Sequence, residues 1–188
     1  MLSKETIKEV IRAQRQSLEK QGPTVLREKE LGFALQTAFA IVITGIRRCG
    51  KSTFLGQLVK KHKTAYYLNL EDPRLEGFEL SDFSRAESAC VELYGTGGAY
   101  FFDEIQNVEK WETFVRHLVD KKEKVVITGS NASLLSRELG TKLTGRHLQI
   151  EMFPFSFGEF LKAKKQKASA NSFEEYLVRG GSYNRQEA

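Results

Sequence analysis

The residues most able to do chemistry lie in one glycine-flanked loop, 45–52, which reads Gly-Ile-Arg-Arg-Cys-Gly-Lys-Ser. This spacing fits the pattern GxxxxGK[ST]. Glycine at both ends lets successive amide N–H groups turn inward around a phosphate. We expect the Lys51 ammonium on the β- and γ-phosphates and the Ser52 hydroxyl on Mg²⁺. The loop therefore predicts a nucleotide site with nine contacting residues: Gly45, Ile46, Arg47, Arg48, Cys49, Gly50, Lys51, Ser52 and Thr53.

The sequence on either side predicts the elements that such a loop requires. An apolar run over 39–44 is typical of a strand buried on both faces. Apolar residues at helical spacing follow over 52–61 and predict a helix whose positive end faces the same anion. Strand, loop and helix in this order favour a phosphate loop over a chance match on a surface turn.

Two acidic residues end a second apolar run. Asp103 and Glu104 follow Ala-Tyr-Phe-Phe over 99–102. Asp103 is expected to hold Mg²⁺ together with Ser52, and Glu104 to orient and deprotonate an attacking water. The alternative is a pair of solvated acids at a strand end. A water-activating glutamate favours a hydrolase over a kinase, which passes phosphate to an acceptor hydroxyl.

Three further polar side chains are candidates for the same reaction. Ser130 or Thr128 could hold the attacking water or a γ-phosphate oxygen, although Ser130 as a helix cap is an equally good interpretation. Arg146 precedes the last predicted strand, where ring-forming ATPases place an arginine that enters the neighbouring subunit's site. A surface arginine at a helix end is the alternative for Arg146, and Arg137 is a weaker candidate.

The side chains inside the loop carry two expectations of their own. Those of Arg47 and Arg48 should point away from the phosphates, because backbone amides form the cradle. Cys49 lies beside Lys51, so its thiol is expected to have a lowered pKa and to be open to alkylation. A bulky thiol reagent would then block nucleotide binding, and bound ATP would protect.

Two stretches beyond the last predicted strand have less specific patterns. Aromatic residues alternate over 153–157, which indicates core or a covered sheet edge, since Pro154 cannot donate to a central ladder. A docking patch for a C-terminal domain is the alternative. A basic cluster over 162–167 is interpreted as a solvated helix face or linker, with a phosphate-contacting patch as the alternative.

Composition restricts the class of protein. The 188 residues carry a net charge of +5, 40% hydrophobic residues and two cysteines. No run of about 18 apolar residues and no signal-peptide pattern occurs, so we expect a cytoplasmic protein that makes no contact with a membrane. Two cysteines make no disulfide framework. The mild positive charge permits nucleic-acid binding without requiring it.

Strands and helices alternate along the chain, which predicts a parallel sheet covered by helices on both faces. The predicted strands are 39–44, 64–70, 99–102, 124–128 and 147–152, and the helices between them are 52–61, 82–93, 108–121 and 134–143. Two further helices are expected near the N-terminus, divided at Gly22-Pro23, with the second over 25–34. The predicted domains are a helical extension (1–36), an ATPase core (37–160) and a basic linker or the start of a lid (161–188).

With these residues in place, the chain resembles a prokaryotic group of AAA+ ATPases whose members carry a C-terminal domain of unknown function. The matching blocks are 45–53, 102–107, 127–130, 143–146, 153–161 and 176–181. The resemblance implies a three-layer P-loop NTPase fold with sheet order 5-1-4-3-2, and ATP with Mg²⁺ as ligands. It also implies a sensor role near Ser130 and an arginine-finger role for Arg146. We expect the chain to be the N-terminal part of a longer protein.

The predicted function is Mg²⁺-dependent ATP hydrolysis that drives a conformational change of an attached module. The predicted partners are ATP, a second copy of the chain through Arg146, and the C-terminal module. One alternative is a slow nucleotide-dependent switch. Another is a nucleic-acid-associated regulatory ATP-binding protein that contacts phosphates through Lys162, Lys164, Lys165 and Lys167.

Overall fold

A computed structural model describes residues 1–22, 25–27, 37–129, 143 and 145–179. Its helices are α1 (Lys4–Lys20), α2 (Lys51–Lys61), α3 (Asp82–Tyr94), α4 (Trp111–Asp120), α5 (Phe157–Lys164) and α6 (Ala170–Arg179). Its strands are β1 (Ala40–Gly45), β2 (Ala65–Asn69), β3 (Ala99–Asp103), β4 (Val125–Thr128) and β5 (His147–Met152). Short 3₁₀ turns occupy Pro73–Leu75 and Ile105–Asn107.

The five strands form one parallel sheet in the order β2-β3-β4-β1-β5. This is the predicted 5-1-4-3-2 order read from the opposite edge. β1 lies between β4 and β5, with Ile41 opposite Val126 on one side and Leu148 on the other. Because all strands run in one direction, the carboxyl ends of β1, β3 and β4 meet at the same edge of the sheet.

Helices cover both faces of this sheet, as predicted. Alternate residues of β1 point to opposite faces: Val42 packs in a cluster with α1, α3 and α4, whereas Ile43 packs in a cluster with α2. The central strands β1, β3 and β4 are therefore buried along their length, the pattern of a parallel sheet covered on both sides, whereas in the edge strand β5 only Met152 is buried. The three-layer α/β fold is confirmed.

Helix α1 belongs to the main apolar core rather than to a separate arm. Ile7, Val10 and Ile11 are buried on the face that packs against α3 and β2. The Ser3 hydroxyl accepts a hydrogen bond from the Thr6 N–H at 3.1 Å and caps the first turn. The predicted second helix is not present at its start, because residues 25–27 are not helical; residues 28–34 lie outside the described part of the chain.

Helix α4 begins later than the predicted residue 108. Glu104 and Lys110 both have left-handed backbone conformations, with φ of 53° and 59°, on either side of a 3₁₀ turn. This turn redirects the chain before α4 starts at Trp111. The predicted helix over 134–143 lies outside the described residues except for Leu143, which is buried.

The side chain of Gln14 closes the end of the edge strand β2. Its Oε1 accepts from the Asn69 N–H at 2.8 Å, and its Nε2 donates to the Asn69 carbonyl at 3.0 Å and to Asp72 Oδ2 at 3.0 Å. A helix side chain thus takes the place of a further strand at this position. Exposed edge groups of this kind otherwise invite pairing with other chains.

We expect Gln14→Ala to lower the free energy of unfolding by about 1 kcal/mol, because it leaves two part-buried backbone groups of Asn69 without their partner. Urea unfolding followed by circular dichroism measures the change. Gln16→Ala removes an exposed glutamine from the same helix and should change stability little. Equal stabilities of the two variants would show that the Gln14 contacts contribute nothing.

Candidate nucleotide-binding site

The predicted phosphate loop connects the carboxyl end of β1 to the amino end of α2. A Cβ on Gly45 would lie 2.3 Å from the carbonyl oxygen of Met152 on β5, so only glycine fits there. Gly50 has φ 93° and is the N-cap of α2. Both glycines are therefore required by backbone geometry, and the close approach to β5 is a reason that the motif alone does not reveal.

Lys51 is the first residue of α2 and is almost fully buried, with 4% of its surface exposed. Its Nζ donates to the carbonyl oxygens of Gly45 at 3.2 Å and Ile46 at 3.1 Å. The ammonium is held over the loop by these two acceptors. A buried charge needs such partners, and a bound phosphate is a stronger partner than two carbonyl oxygens.

A cavity of about 280 Å³ opens beside the loop. Two glutamates, Glu71 and Glu104, line its other side. The loop residues that line it are Arg47, Arg48, Gly50, Lys51, Ser52 and Thr53. The prediction that Arg47 and Arg48 point away from this space is not confirmed, because both line the cavity.

Asp103 ends β3 and is 1% exposed. Its carboxylate accepts hydrogen bonds from the hydroxyls of Thr128, Ser52 and Tyr67, the last at 3.4 Å. Burial raises the pKa of Asp103, and these hydrogen bonds oppose that rise by favouring the charged form. The predicted pair of Ser52 and Asp103 is thus in direct contact, with Ser52 in the first turn of α2 and Asp103 at the end of β3.

The same pair fits Mg²⁺ in the chemistry of its donors. A hydroxyl and a carboxylate supply hard oxygen atoms, and Mg²⁺ is commonly held by one or two such groups together with water and phosphate oxygens. In the described segments, no cluster of three or more His, Cys, Asp or Glu side chains could hold a metal on its own.

Glu104 directly follows Asp103 and faces the cavity. Its backbone is left-handed, with φ 53° and ψ 49°, a conformation that costs a non-glycine residue about 1–3 kcal/mol and that clusters at functional sites. The Glu104 N–H donates to Thr128 Oγ1 at 3.0 Å, and Gln106 Nε2 donates to Glu104 Oε2 at 2.7 Å. The carboxylate is therefore oriented by its own chain turn and by one neighbouring amide.

Two polar residues around this acid pair have roles that the sequence did not reveal. Thr128 was one candidate to hold the attacking water or a γ-phosphate oxygen, but it does not line the cavity. Its hydroxyl is fully buried, donates to the Asp103 carboxylate and accepts from the Glu104 N–H. Gln106 lies in the matching block 102–107, but its bond to Glu104 is seen only in the structure. The predicted residues Ser130 and Arg137 lie outside the described part of the chain.

Arg146 lies at the amino ends of the strands, whereas the phosphate loop lies at their carboxyl ends. Its carbonyl oxygen accepts from the Ala40 N–H at 3.1 Å, and the register between β1 and β5 then runs on to Gly45. Five strand residues separate the two ends, roughly 17 Å. The guanidinium is half-exposed and pairs with Asp120. The fold does not bring Arg146 to the loop of its own chain.

The prediction of an accessible Cys49 thiol is wrong. Cys49 is 4% exposed and packs in the apolar cluster with Phe54 and Met152. The loop directs this side chain into the core beneath α2, so it has no path to a bulky reagent. Cys90 is also buried, and burial raises the pKa of its thiol to about 12.

We expect both thiols to react with a chromogenic disulfide about 100-fold or more slowly in the folded protein than in denaturant, because reaction requires an exposed thiolate. Absorbance of the released thiolate measures the rate. Two thiols per chain should titrate after denaturation. One rapid equivalent from the native wild type that is absent from Cys49→Ala would restore the idea of a reactive loop thiol.

The aromatic and basic stretches near the end of the described chain pack within it. Phe157 contacts Phe173 and Tyr176, with ring centroids 5.2 and 5.4 Å apart. Lys164 pairs with Glu175 at 3.1 Å and joins α5 to α6. Phe157 is half-buried and lies outside both apolar core clusters, and Phe153 is 57% exposed, so the core interpretation is not confirmed for either residue. Of the described helices, none is long and apolar enough to cross a membrane.

A parallel sheet in this order, with a glycine loop between β1 and α2 and an acidic pair after β3, defines a P-loop NTPase domain. A family model described as an AAA domain matches residues 37–161, more than half of the chain. The chain belongs to this AAA domain family, which indicates a nucleotide-binding domain. The AAA part of the predicted resemblance is confirmed.

Similar proteins extend well beyond the matched region. An uncharacterized protein of Methanocaldococcus jannaschii is 43% identical over 125 residues, covering 65% of this chain and 28% of that protein. An uncharacterized protein of Haemophilus influenzae is 36% identical over 178 residues, covering 84% and 43%. The chain spans less than half the length of these curated relatives. Among solved structures, AMPPCP-bound DnaA from Aquifex aeolicus aligns with TM-score 0.46 and 13% identity, covering 100% of this chain and 60% of that one.

Proposed function

We propose that this domain binds ATP with Mg²⁺ and hydrolyses the terminal phosphoanhydride. The observation that carries the proposal is that the phosphate loop and Glu104, directly after β3, line the same cavity. The loop with Lys51 lies on one side and Glu104 on the other, while Ser52 is bonded to Asp103 between them. Nothing in this arrangement requires a second substrate besides water.

The residues from Gly45 to Thr53 bind the phosphates in this proposal. Lys51 gives up the carbonyl oxygens of Gly45 and Ile46 for the β- and γ-phosphate oxygens, which are stronger acceptors. Ser52 and Asp103 hold Mg²⁺. When bound, the metal neutralises the charge that develops on the phosphate oxygens during transfer.

Glu104 acts as the general base. Its carboxylate takes a proton from a water molecule whose oxygen attacks the γ-phosphorus. The bond between this phosphorus and the β,γ-bridging oxygen breaks, and the products are ADP and inorganic phosphate. Gln106 and the left-handed backbone of Glu104 hold the carboxylate ready for this role. A sensor role for Ser130 stays a prediction.

Arg146 lies far from the phosphate loop of its own chain, so any role in hydrolysis requires it to act on the site of a second copy. We expect Arg146→Ala to lower turnover of an assembled oligomer by about 10³–10⁵-fold. Mixing Arg146→Ala chains with Lys51→Ala chains should restore part of the phosphate release, because each supplies what the other lacks. Mixed oligomers without any restored turnover would rule out action in trans.

The hydrolysis cycle is proposed to move an attached module, and the greater length of the relatives supports the presence of further residues in such proteins. The domain boundaries, the C-terminal domain of unknown function, the restriction to prokaryotes and the cytoplasmic location stay predictions. Limited proteolysis of the full-length protein with and without ATP tests the coupling. Identical cleavage patterns under both conditions would contradict it.

The direct test of the proposed reaction is release of inorganic phosphate from ATP. We expect steady release that requires Mg²⁺ and stops when the metal is chelated. Measuring the same release with added single- and double-stranded nucleic acid separates the regulatory alternative. Tight ATP binding without release above the level of Glu104→Gln would favour the slow switch.

A further inference from the structure

Arg27 lies behind the phosphate loop and is fully engaged there. Its side chain is 5% exposed and comes from the segment between α1 and β1. Nη1 donates to the Cys49 carbonyl at 2.7 Å, Nη2 donates to the Phe153 carbonyl at 2.6 Å, and Nε donates to Glu159 Oε1 at 2.9 Å. The guanidinium also lies over the ring of Phe155, 5.0 Å from its centroid.

The bond to the Cys49 carbonyl fixes the peptide that joins Cys49 to Gly50. In a planar trans peptide, the C=O and the following N–H point in opposite directions. Arg27 holds the carbonyl from behind the loop, so the Gly50 N–H points away from Arg27 and toward the cavity that Gly50 lines. A cationic donor on the carbonyl also polarises the peptide and strengthens its N–H as a donor to an anion.

Arg27 also packs closely against the backbone of Gly50, whose φ of 93° already favours glycine. A Cβ on Gly50 would lie 3.3 Å from Arg27 Nη1. The guanidinium therefore occupies the space directly behind this residue. A side chain at position 50 would push against the Arg27 guanidinium.

The other end of the guanidinium is anchored in the segment that follows β5. Glu159 is as buried as Arg27, and its second carboxylate oxygen accepts from the Ser156 N–H at 2.9 Å. The Ser156 hydroxyl accepts from the Glu159 N–H at 3.1 Å, which completes a capping box at the start of α5. A single chain of part-buried hydrogen bonds thus runs from the loop to α5.

We propose that Arg27 is a positioning residue of the nucleotide site, which aims the Gly50 N–H at the bound phosphate and, through Glu159, links nucleotide affinity to the packing of α5. This inference rests on the proposed function. Removing one partner of the buried ion pair is costly, because it leaves the other charge without its counterion. The two ends of the network are therefore coupled in both directions.

The test measures binding of Mg²⁺ with the β,γ-methylene analogue of ATP by calorimetry, well below the melting temperature of each variant. Arg27→Met should raise the dissociation constant about tenfold, and Glu159→Gln should raise it less. Arg27→Lys keeps the charge and should restore part of the affinity. In the nucleotide-free protein, the Gly50 amide resonance should move in Arg27→Met, a change that general destabilisation does not produce.

Two controls separate positioning from stability. Arg12→Met makes the same chemical change on the exposed face of α1, and Val119→Ala removes core volume on α4. Both should keep the wild-type dissociation constant.

Wild-type affinity and an unmoved Gly50 resonance in Arg27→Met would overturn the inference while leaving the proposed function intact. If Arg27→Met does not fold, unchanged affinity in both Arg27→Lys and Glu159→Gln would overturn it. Absence of binding by the folded wild type would instead overturn the proposed function.

Discussion

Glu104→Gln lowers ATP turnover at least about 100-fold while leaving the affinity for Mg²⁺-ATP within about threefold of the wild type. The amide has the shape of the carboxylate and can still accept from Gln106, but it cannot take a proton from water. The backbone at position 104 stays left-handed in either case, so the loop cavity is unchanged. Phosphate release and calorimetric binding, measured on the same preparation, give the two quantities.

Glu109→Gln is the matched control for this result. Glu109 is exposed and lies five residues after Glu104, beyond the 3₁₀ turn. It should turn over ATP at the wild-type rate. If Glu104→Gln also kept the wild-type rate, water activation by this carboxylate would be refuted, and residual phosphate release would need another base.

Lys51→Ala weakens nucleotide binding at least about 100-fold and removes detectable turnover, because it deletes the buried ammonium that faces the phosphates. The same change frees the carbonyl oxygens of Gly45 and Ile46 that the ammonium now holds. A modest fall in melting temperature of the nucleotide-free protein is therefore expected as well. Calorimetry and a thermal scan separate the two effects.

Lys61→Ala serves as the control on the same helix. Lys61 is exposed at the last turn of α2, far from the loop. Its removal should leave the affinity unchanged. A Lys51→Ala protein that is folded and binds Mg²⁺-ATP as tightly as the wild type would contradict the assignment of the phosphate loop.

Much of the architecture could be predicted because the central strands are apolar runs and because strands and helices alternate along the chain. β5 has the predicted bounds, and β3 extends the predicted run by one residue, to Asp103. The acidic pair and the phosphate loop could be placed close together because the carboxyl ends of parallel strands meet at the same end of the sheet. These inferences needed only local pattern and the direction of the strands.

The parts that could not be predicted depend on contacts between distant segments. The direction of Cys49 follows from how the loop packs on β5 and α2, which its motif does not encode. Arg27 is 132 residues from Glu159 in the chain, and although Glu159 lies in the matching block 153–161, no pattern in the sequence links it to Arg27. The left-handed turns at Glu104 and Lys110 occur at residues with no preference for them, so tertiary packing must impose them.

The most direct measurement is a calorimetric titration of the folded wild-type chain with Mg²⁺ and ATP, with Lys51→Ala titrated alongside. One molecule of nucleotide should bind per chain, with a dissociation constant between about 1 µM and 1 mM, and Lys51→Ala should release no measurable heat. A wild-type chain of native circular dichroism that shows no heat with Mg²⁺-ATP would contradict the account at its foundation.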